Sequence, residues 1–120
     1  MAIDDAIRRE LAVLARRSKA RVVEFSSNRP SDWRPHSVRN PRSRLDNTFT
    51  DVSAWEFIAD HLEAGHEIEE VRLEHPPGKV GYVMKIQVDI DLPRVYIKLE
   101  LGSGAIFGRS FHFCEYDASP

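Results

Sequence analysis

Residues 80–88, Val-Gly-Tyr-Val-Met-Lys-Ile-Gln-Val, decide the fold of this chain. Apolar side chains occupy every second position, which is the period of a β-strand with one face against a hydrophobic core. They are Val80, Tyr82, Met84, Ile86 and Val88. After a break at residues 91–94, the same period returns over residues 95–101, Val-Tyr-Ile-Lys-Leu-Glu-Leu. The two stretches predict neighbouring strands of a sheet with one buried face.

Two weaker strand patterns flank this pair. Residues 67–74 alternate around Val71 and Leu73, and the turn signal Pro76-Pro77-Gly78 follows them. On the other side comes a hairpin loop over residues 102–104, Gly-Ser-Gly, and then a last strand over residues 105–113. Gly108 indicates a β-bulge in that strand. Four strands joined by short turns predict a twisted four-stranded antiparallel meander.

The first half of the chain carries helical periods. Apolar residues recur at helical spacing over residues 2–18, with acidic residues at the start and arginines at the end, as the helix dipole favours. A second helix begins at Thr50-Asp51, where either side chain can cap it, and ends at Gly65. We therefore predict an α+β fold in which two helices pack on one face of the sheet. Residues 21–25 predict a short additional strand.

The segment from residue 26 to residue 47 has a different composition. It contains three prolines and five arginines, and it lacks hydrophobic periodicity. Loops of this length are uncommon inside compact domains unless they have a function. We interpret it as an Arg/Pro-rich arm that is mobile or that orders on a partner, between a helical part (1–25) and a helix-plus-sheet part (48–120) of one domain spanning 1–120.

Length and composition limit the class of protein. At 120 residues with 42% hydrophobic content, the chain builds one core. It has no apolar run of the roughly 20 residues that a membrane span needs, and its acidic N-terminus lacks the pattern of a signal peptide. The single cysteine, Cys114, excludes an internal disulfide and is typical of a reducing cytoplasm, which is the expected location. Paired-cysteine zinc motifs are absent, so we expect neither a metal nor another cofactor.

Charge is distributed unevenly along the chain. The net charge is −2, but residues 1–46 hold eleven Lys/Arg against six Asp/Glu, whereas residues 47–120 hold six against thirteen. Ten of the eleven N-terminal cations are arginines, whose planar guanidinium suits phosphate. Such an asymmetry marks either a surface for nucleic acid or an acidic partner, or only a solvated helix face and a polar arm.

The sheet face away from the helices is the candidate site. Period-two alternation places Tyr96 and Lys98 on this face, together with Ser110 and His112 from the last strand. Arg109 points to the other face unless the bulge at Gly108 redirects it. Cleavage of RNA by its own 2′-hydroxyl needs a base, an acid and cations for the developing charge, and Tyr, Lys, His and Arg can supply them. Polar residues on a half-exposed sheet face are also commonly without chemistry.

The segment Val95-Tyr96-Ile97-Lys98-Leu99, followed by a turn and Ser110-Phe111-His112, resembles the C-terminal end of the MqsR family of toxins, within the wider RelE-like group. In that family a Val-Tyr-Leu-Lys strand precedes a last strand with a Ser-Phe-Lys motif. The resemblance covers about 25 to 30 residues. It implies a small RelE-like sheet with helices on one side. It also implies metal-independent endoribonuclease cleavage of mRNA, free or on the ribosome, restrained by a cognate antitoxin.

The resemblance places two residues directly, and the other expected site residues come from the sheet face and from the Arg-rich arm. Tyr96 matches the tyrosine of the family's active site, and His112 falls where the family has a lysine. The expected catalytic set is Tyr96, Lys98, Arg109 and His112. The expected substrate-binding residues are Lys79, Lys85 and Ser110 on the sheet and Arg39, Arg42 and Arg44 in the arm. The alternative is a non-catalytic module that keeps the RelE-like fold and binds a protein target, such as a topoisomerase.

Overall fold

The computed structural model describes residues 3–23, 31–45, 47–75 and 77–114. Its two α-helices are α1 (Asp5–Arg16) and α2 (Asp51–Glu63). Its six strands are β1 (Arg21–Val22), β2 (Asp32–Trp33), β3 (Glu69–Arg72), β4 (Val80–Ile86), β5 (Val95–Leu101) and β6 (Ile106–Phe113). Short 3₁₀ turns lie at Ser18–Ala20 and Pro35–Ser37. Parts of four predictions fall outside the described residues. They are Ala2 at the start of the first helix, residues 24–25 of the short strand, residues 26–30 and 46 of the arm, and Pro76 of the turn.

The helix ends follow the capping residues in the sequence. The Asp4 carboxylate accepts a hydrogen bond from the Ala6 amide at 2.8 Å, which starts α1. Thr50 and Ser53 form a reciprocal capping box that starts α2. Beyond the end of α2, Gly65 takes a φ of 82°, which glycine adopts without a steric penalty. The predicted positions of both helices are thus confirmed to within a few residues.

The sheet is mixed and open, with the order β1-β6-β5-β4-β3 and with β2 also paired to β6. Consecutive strands from β3 to β6 pair antiparallel, whereas β1 and β2 pair parallel to successive parts of β6. The α+β class is confirmed, but a four-stranded antiparallel sheet is not confirmed in that form. The physical reason is the outer edge of β6, whose backbone groups would otherwise lack ladder partners.

The hydrophobic core lies between the helices and one face of the sheet. Of the side chains that the strand period predicts to be buried, Val80 is 38% exposed, and Val88 lies beyond the end of β4 and is only partly buried. The core does contain Tyr82, Met84, Ile86, Ile97 and Leu99, each at least 95% buried. From the helical layer it takes Leu11, Leu14, Trp55, Ile58 and Leu62. No helix among the described ranges is long and apolar enough to cross a membrane.

Part of the predicted arm packs onto this core. Val38 is fully buried, and its carbonyl accepts a hydrogen bond from the Phe49 amide at 2.9 Å. Trp33 stacks on Trp55 of α2 with ring centroids 5.0 Å apart. An aromatic and an aliphatic side chain thus bring residues 31–40 of the predicted arm against β6 and α2.

Candidate functional site

The candidate site is the sheet face opposite the helices, near the end of β5 that carries Tyr96. The strand register sets Tyr96 opposite His112 and Lys98 opposite Ser110, so all four side chains share this face. On the other side of Tyr96, the register pairs it with Lys85 of β4. The structure therefore brings together five of the sheet residues that the sequence singles out: Lys85, Tyr96, Lys98, Ser110 and His112.

Tyr96 and His112 form the centre of this surface. Their rings stack with centroids 5.5 Å apart and planes 21° from parallel. Such cross-strand ring pairs restrict both side chains to one arrangement. Lys98 lies diagonally across from His112, at the spacing of about 7–8 Å that long side chains bridge.

Both ring nitrogens of His112 face oxygen atoms. Nδ1 lies 2.7 Å from the Phe113 carbonyl oxygen, and Nε2 lies 3.1 Å from Oδ2 of Asp32. Only an imidazolium can donate to both acceptors at once, because the neutral ring has a single N–H. The imidazolium is also the form that an acid catalyst needs.

Asp32 joins the site from β2 and was missed by sequence reasoning. Its register partner on β6 is Ser110, which puts its side chain on the same face as His112. The carboxylate also pairs with Arg34, with Nε and Oδ1 2.7 Å apart, and half of the Asp32 side chain remains exposed. The sequence signal for this strand was Trp33, since a lone tryptophan inside a polar segment indicates a buried contact.

The pKa values of Lys98 and Tyr96 both shift in the direction that favours the neutral form: the pKa of Lys98 is lowered and that of Tyr96 is raised. Burial lowers the pKa of Lys98, and the nearby positive charge of Arg109 lowers it further, against a smaller opposing effect of Glu74. Burial also raises the pKa of Tyr96, with an added contribution from Cys114. Lys98 therefore releases its proton more readily than an ordinary lysine, whereas Tyr96 keeps its hydroxyl proton.

Arg109 takes a different position from the other three predicted catalytic residues. The register shifts between Lys98 and Leu99, which leaves Arg109 as the extra residue of a bulge beside Gly108, as the sequence predicts. Its guanidinium is 5% exposed and lies 2.7 Å from Oε1 of buried Glu100. It also donates a hydrogen bond to the His75 carbonyl at 2.6 Å. The bulge thus turns Arg109 to the same sheet face as Glu100 and Lys98, where its guanidinium is buried and lowers the pKa of Lys98 through its charge.

The remaining predicted binding residues are spread over the molecule. Lys85 is exposed and lines a polar cavity of about 170 Å³ beside the site, together with His66, Glu67, Glu69, Val83 and Arg94. Lys79 is exposed just before β4, and Ser110 is buried between Lys98 and Asp32. Arg42 pairs with Asp60 of α2, on the helical side of the sheet.

Arg39 and Arg44 belong to the same loop as Arg42. The Arg39 backbone forms an isolated bridge with Thr48, and Arg44 is exposed. The contact of this loop with α2 is the Arg42–Asp60 ion pair.

Within the described residues, no three His, Cys, Asp or Glu side chains are grouped as metal ligands would be. No protein-family model, curated protein or solved structure matches this chain.

Proposed function

We propose that the chain is a metal-independent endoribonuclease that cleaves mRNA by attack of the 2′-hydroxyl on the adjacent phosphate. The observation that carries the proposal is the stacked Tyr96–His112 pair, with Asp32 on one side and Lys98 of lowered pKa on the same open face. A base, an acid and cations on one sheet face are the groups that this reaction requires.

Lys98 is the proposed base. Its lowered pKa increases the fraction of free amine near neutral pH, and that amine takes the proton of the 2′-hydroxyl. The 2′-oxygen then forms its bond to phosphorus while the bond from phosphorus to the 5′-oxygen breaks. The products are a 2′,3′-cyclic phosphate and a free 5′-hydroxyl.

His112 is the proposed acid, and it gives its Nε2 proton to the departing 5′-oxygen. When RNA binds, the half-exposed Asp32 side chain turns away from Nε2, and a phosphate oxygen takes its place between the imidazolium and Arg34. Tyr96 donates its hydroxyl hydrogen to a non-bridging oxygen, because its raised pKa keeps that hydrogen in place. Lys85, the register neighbour of Tyr96, supplies a cation for the developing charge.

The decisive experiment is cleavage of a defined single-stranded RNA by the purified protein, with and without ribosomes. We expect a 2′,3′-cyclic phosphate end, and we expect no cleavage when the scissile nucleotide carries a 2′-deoxyribose. Tyr96→Phe and His112→Ala should each lower the rate by about 100- to 10,000-fold. The matched controls are Tyr82→Phe on the opposite sheet face and His36→Ala on an exposed turn, and both should leave the rate unchanged.

An intact RNA at every pH, with and without ribosomes, would refute the ribonuclease proposal. If both site variants still cleave RNA, the protein is a ribonuclease but Tyr96 and His112 are not its catalytic residues. Growth arrest by a protein that leaves RNA intact would favour the alternative, a non-catalytic module that binds a protein target.

We further propose that the enzyme is a cytoplasmic toxin held inactive by a cognate antitoxin, with a RelE-like sheet as its catalytic scaffold. Support comes from the resemblance of residues 95–112 to the MqsR family and from the reduced state that a single cysteine favours. Induced expression should arrest growth with early mRNA shortening. Co-expression of a small helix-turn-helix protein encoded beside this chain should prevent it, and the absence of any such neighbour would count against the toxin assignment.

A further inference from the structure

A groove on the helical layer lies on the side of the molecule away from the candidate site. Its volume is about 550 Å³, within the range of about 300–1,000 Å³ typical of ligand-binding clefts. It is bordered by α1 and by the last turn of α2, and its lining is Arg8, Arg9, Ala12, Val13, Arg16, Arg17, Leu62 and Glu63.

The floor of this groove is apolar. Leu62 and Ala12 are buried beneath it, and Val13 is a large aliphatic side chain that remains 48% exposed. The small Ala12 side chain between two helices lets a third helix approach closely, as ridges-into-grooves packing requires. An apolar strip of this kind is matched by apolar side chains of a partner.

The rim of the groove is strongly basic. Four arginines border it against one carboxylate, Glu63. Arg16 is bound to Glu63 and Asp60 at 2.7 and 2.6 Å, whereas Arg9 and Arg17 form no ion pair within the described part of the chain. From Arg8 to Arg17 the rim runs along about 14 Å of helix at 1.5 Å per residue. Its charge therefore suits carboxylates placed at both ends of a short helical segment.

We propose that this groove docks an acidic amphipathic helix of a partner protein. The helix places aliphatic side chains on the Val13 floor and carboxylates against Arg9 and Arg17. Helix-in-groove recognition reads apolar side chains at helical spacing in this way. A nucleic acid would neutralise the arginines, but it would leave the apolar floor without matching groups. The apolar floor therefore favours an amphipathic helix as the partner.

The test uses the whole protein and a fluorescent synthetic peptide of about fifteen residues, near the shortest length that forms a helix in water. The peptide carries leucines at i, i+3, i+4 and i+7 and glutamates on the flanks. A second peptide replaces every glutamate by lysine. We expect the acidic peptide to bind at least tenfold more tightly, with affinity that falls as salt increases.

Two variants locate the binding. The double charge reversal Arg9→Glu and Arg17→Glu should weaken binding of the acidic peptide by about tenfold, and Val13→Ser should weaken it at constant salt dependence. The control Arg72→Glu changes an exposed arginine of β3 outside the groove and should leave binding unchanged.

Equal binding of the two peptides, or unchanged affinity in the groove variants, would overturn the proposal. So would a single-stranded RNA whose binding is lost on the Arg9→Glu and Arg17→Glu reversal while the acidic peptide fails to bind. The result is independent of the ribonuclease assay, because no groove residue belongs to the candidate site.

Discussion

Removing one partner of the Glu100–Arg109 ion pair should destabilise the protein by about 3–5 kcal/mol. The two side chains are 2% and 5% exposed, and the atoms that join them lie 2.7 Å apart. Glu100→Leu leaves a buried guanidinium without the Glu100 carboxylate, and Arg109→Met leaves a buried carboxylate without the Arg109 cation. Each loss is a large part of the roughly 5–15 kcal/mol that stabilises a small domain.

The double variant should recover most of that loss. With Glu100→Leu and Arg109→Met together, no buried charge remains, and replacing a buried pair by apolar groups is often neutral or stabilising by about 1–4 kcal/mol. The His75 carbonyl loses its bond from Arg109, but His75 is exposed and water can replace that donor. The two single losses should therefore exceed the double loss by several kcal/mol.

Urea unfolding followed by circular dichroism measures these differences. At an m-value of about 2 kcal/mol/M, a loss of 4 kcal/mol lowers the unfolding midpoint by about 2 M. Arg72→Met, at an exposed position on β3, is the matched control and should shift the midpoint little. A loss below about 1 kcal/mol in Arg109→Met would match a surface ion pair and would refute the reasoning.

The same variant tests the role of Arg109 in catalysis. The folded double variant should keep its ribonuclease activity within about tenfold, because the Arg109 guanidinium is buried against Glu100 and is not exposed to RNA. Its activity should need a higher pH, because losing the Arg109 charge moves the pKa of Lys98 back toward its ordinary value. A fall of about 100-fold or more at every pH in a folded protein would make Arg109 part of the catalytic machinery.

Three further outcomes follow from the packing. Gly108→Ala should cost about 1–3 kcal/mol and alter tryptophan fluorescence, because a Cβ there would lie 2.6 Å from the Trp33 ring; an unchanged spectrum and stability would contradict this. The hydrogen bond from Arg16 lowers the pKa of Asp60 in the folded protein. The stabilisation from this pair is therefore fully present above the ordinary pKa of 3.8, and it is lost as the pH falls through the lower pKa of the folded state. Thermal unfolding should therefore show Asp60→Asn less stable at neutral pH and less sensitive to acid, and parallel pH curves would argue against it. Hydrogen exchange should find the Arg34 amide protected, because it donates a hydrogen bond to the Phe111 carbonyl of β6 at 2.9 Å. Rapid exchange of that amide would support the interpretation of the segment as a mobile arm.

The antiparallel strands and the two helices could be predicted because each carries its own signal. The period of residues 80–88 and 95–101 depends only on which side chains face the core, and Thr50 and Gly65 bound α2 by local backbone chemistry. The short hairpin sets the register of Leu99 with Gly108, and on its own it would place Tyr96 opposite Phe111. The bulge shifts that register by one residue, which gives the Tyr96–His112 and Lys98–Ser110 neighbours.

The parallel edge of the sheet could not be predicted in the same way. β1 and β2 have two residues each, too few for a period, and they pair with β6 across a long stretch of sequence. Asp32 was missed for this reason, since its place depends on a long-range pairing. The fate of Arg109 also escaped prediction, because a bulge was expected but nothing local indicated that Glu100 would receive the guanidinium.

The candidate site consequently depends on packing on the other face of the sheet. In β2 the side chains alternate, so Trp33 enters the core against Phe111 and Trp55 while its neighbour Asp32 faces the open side. Trp33 can lie there only because Gly108 has no side chain beneath it. The contact between Asp32 and His112 is therefore held by a tryptophan stack that never reaches the open surface. A change in the core beneath β6 should alter the imidazole's environment as surely as a change in Asp32 itself.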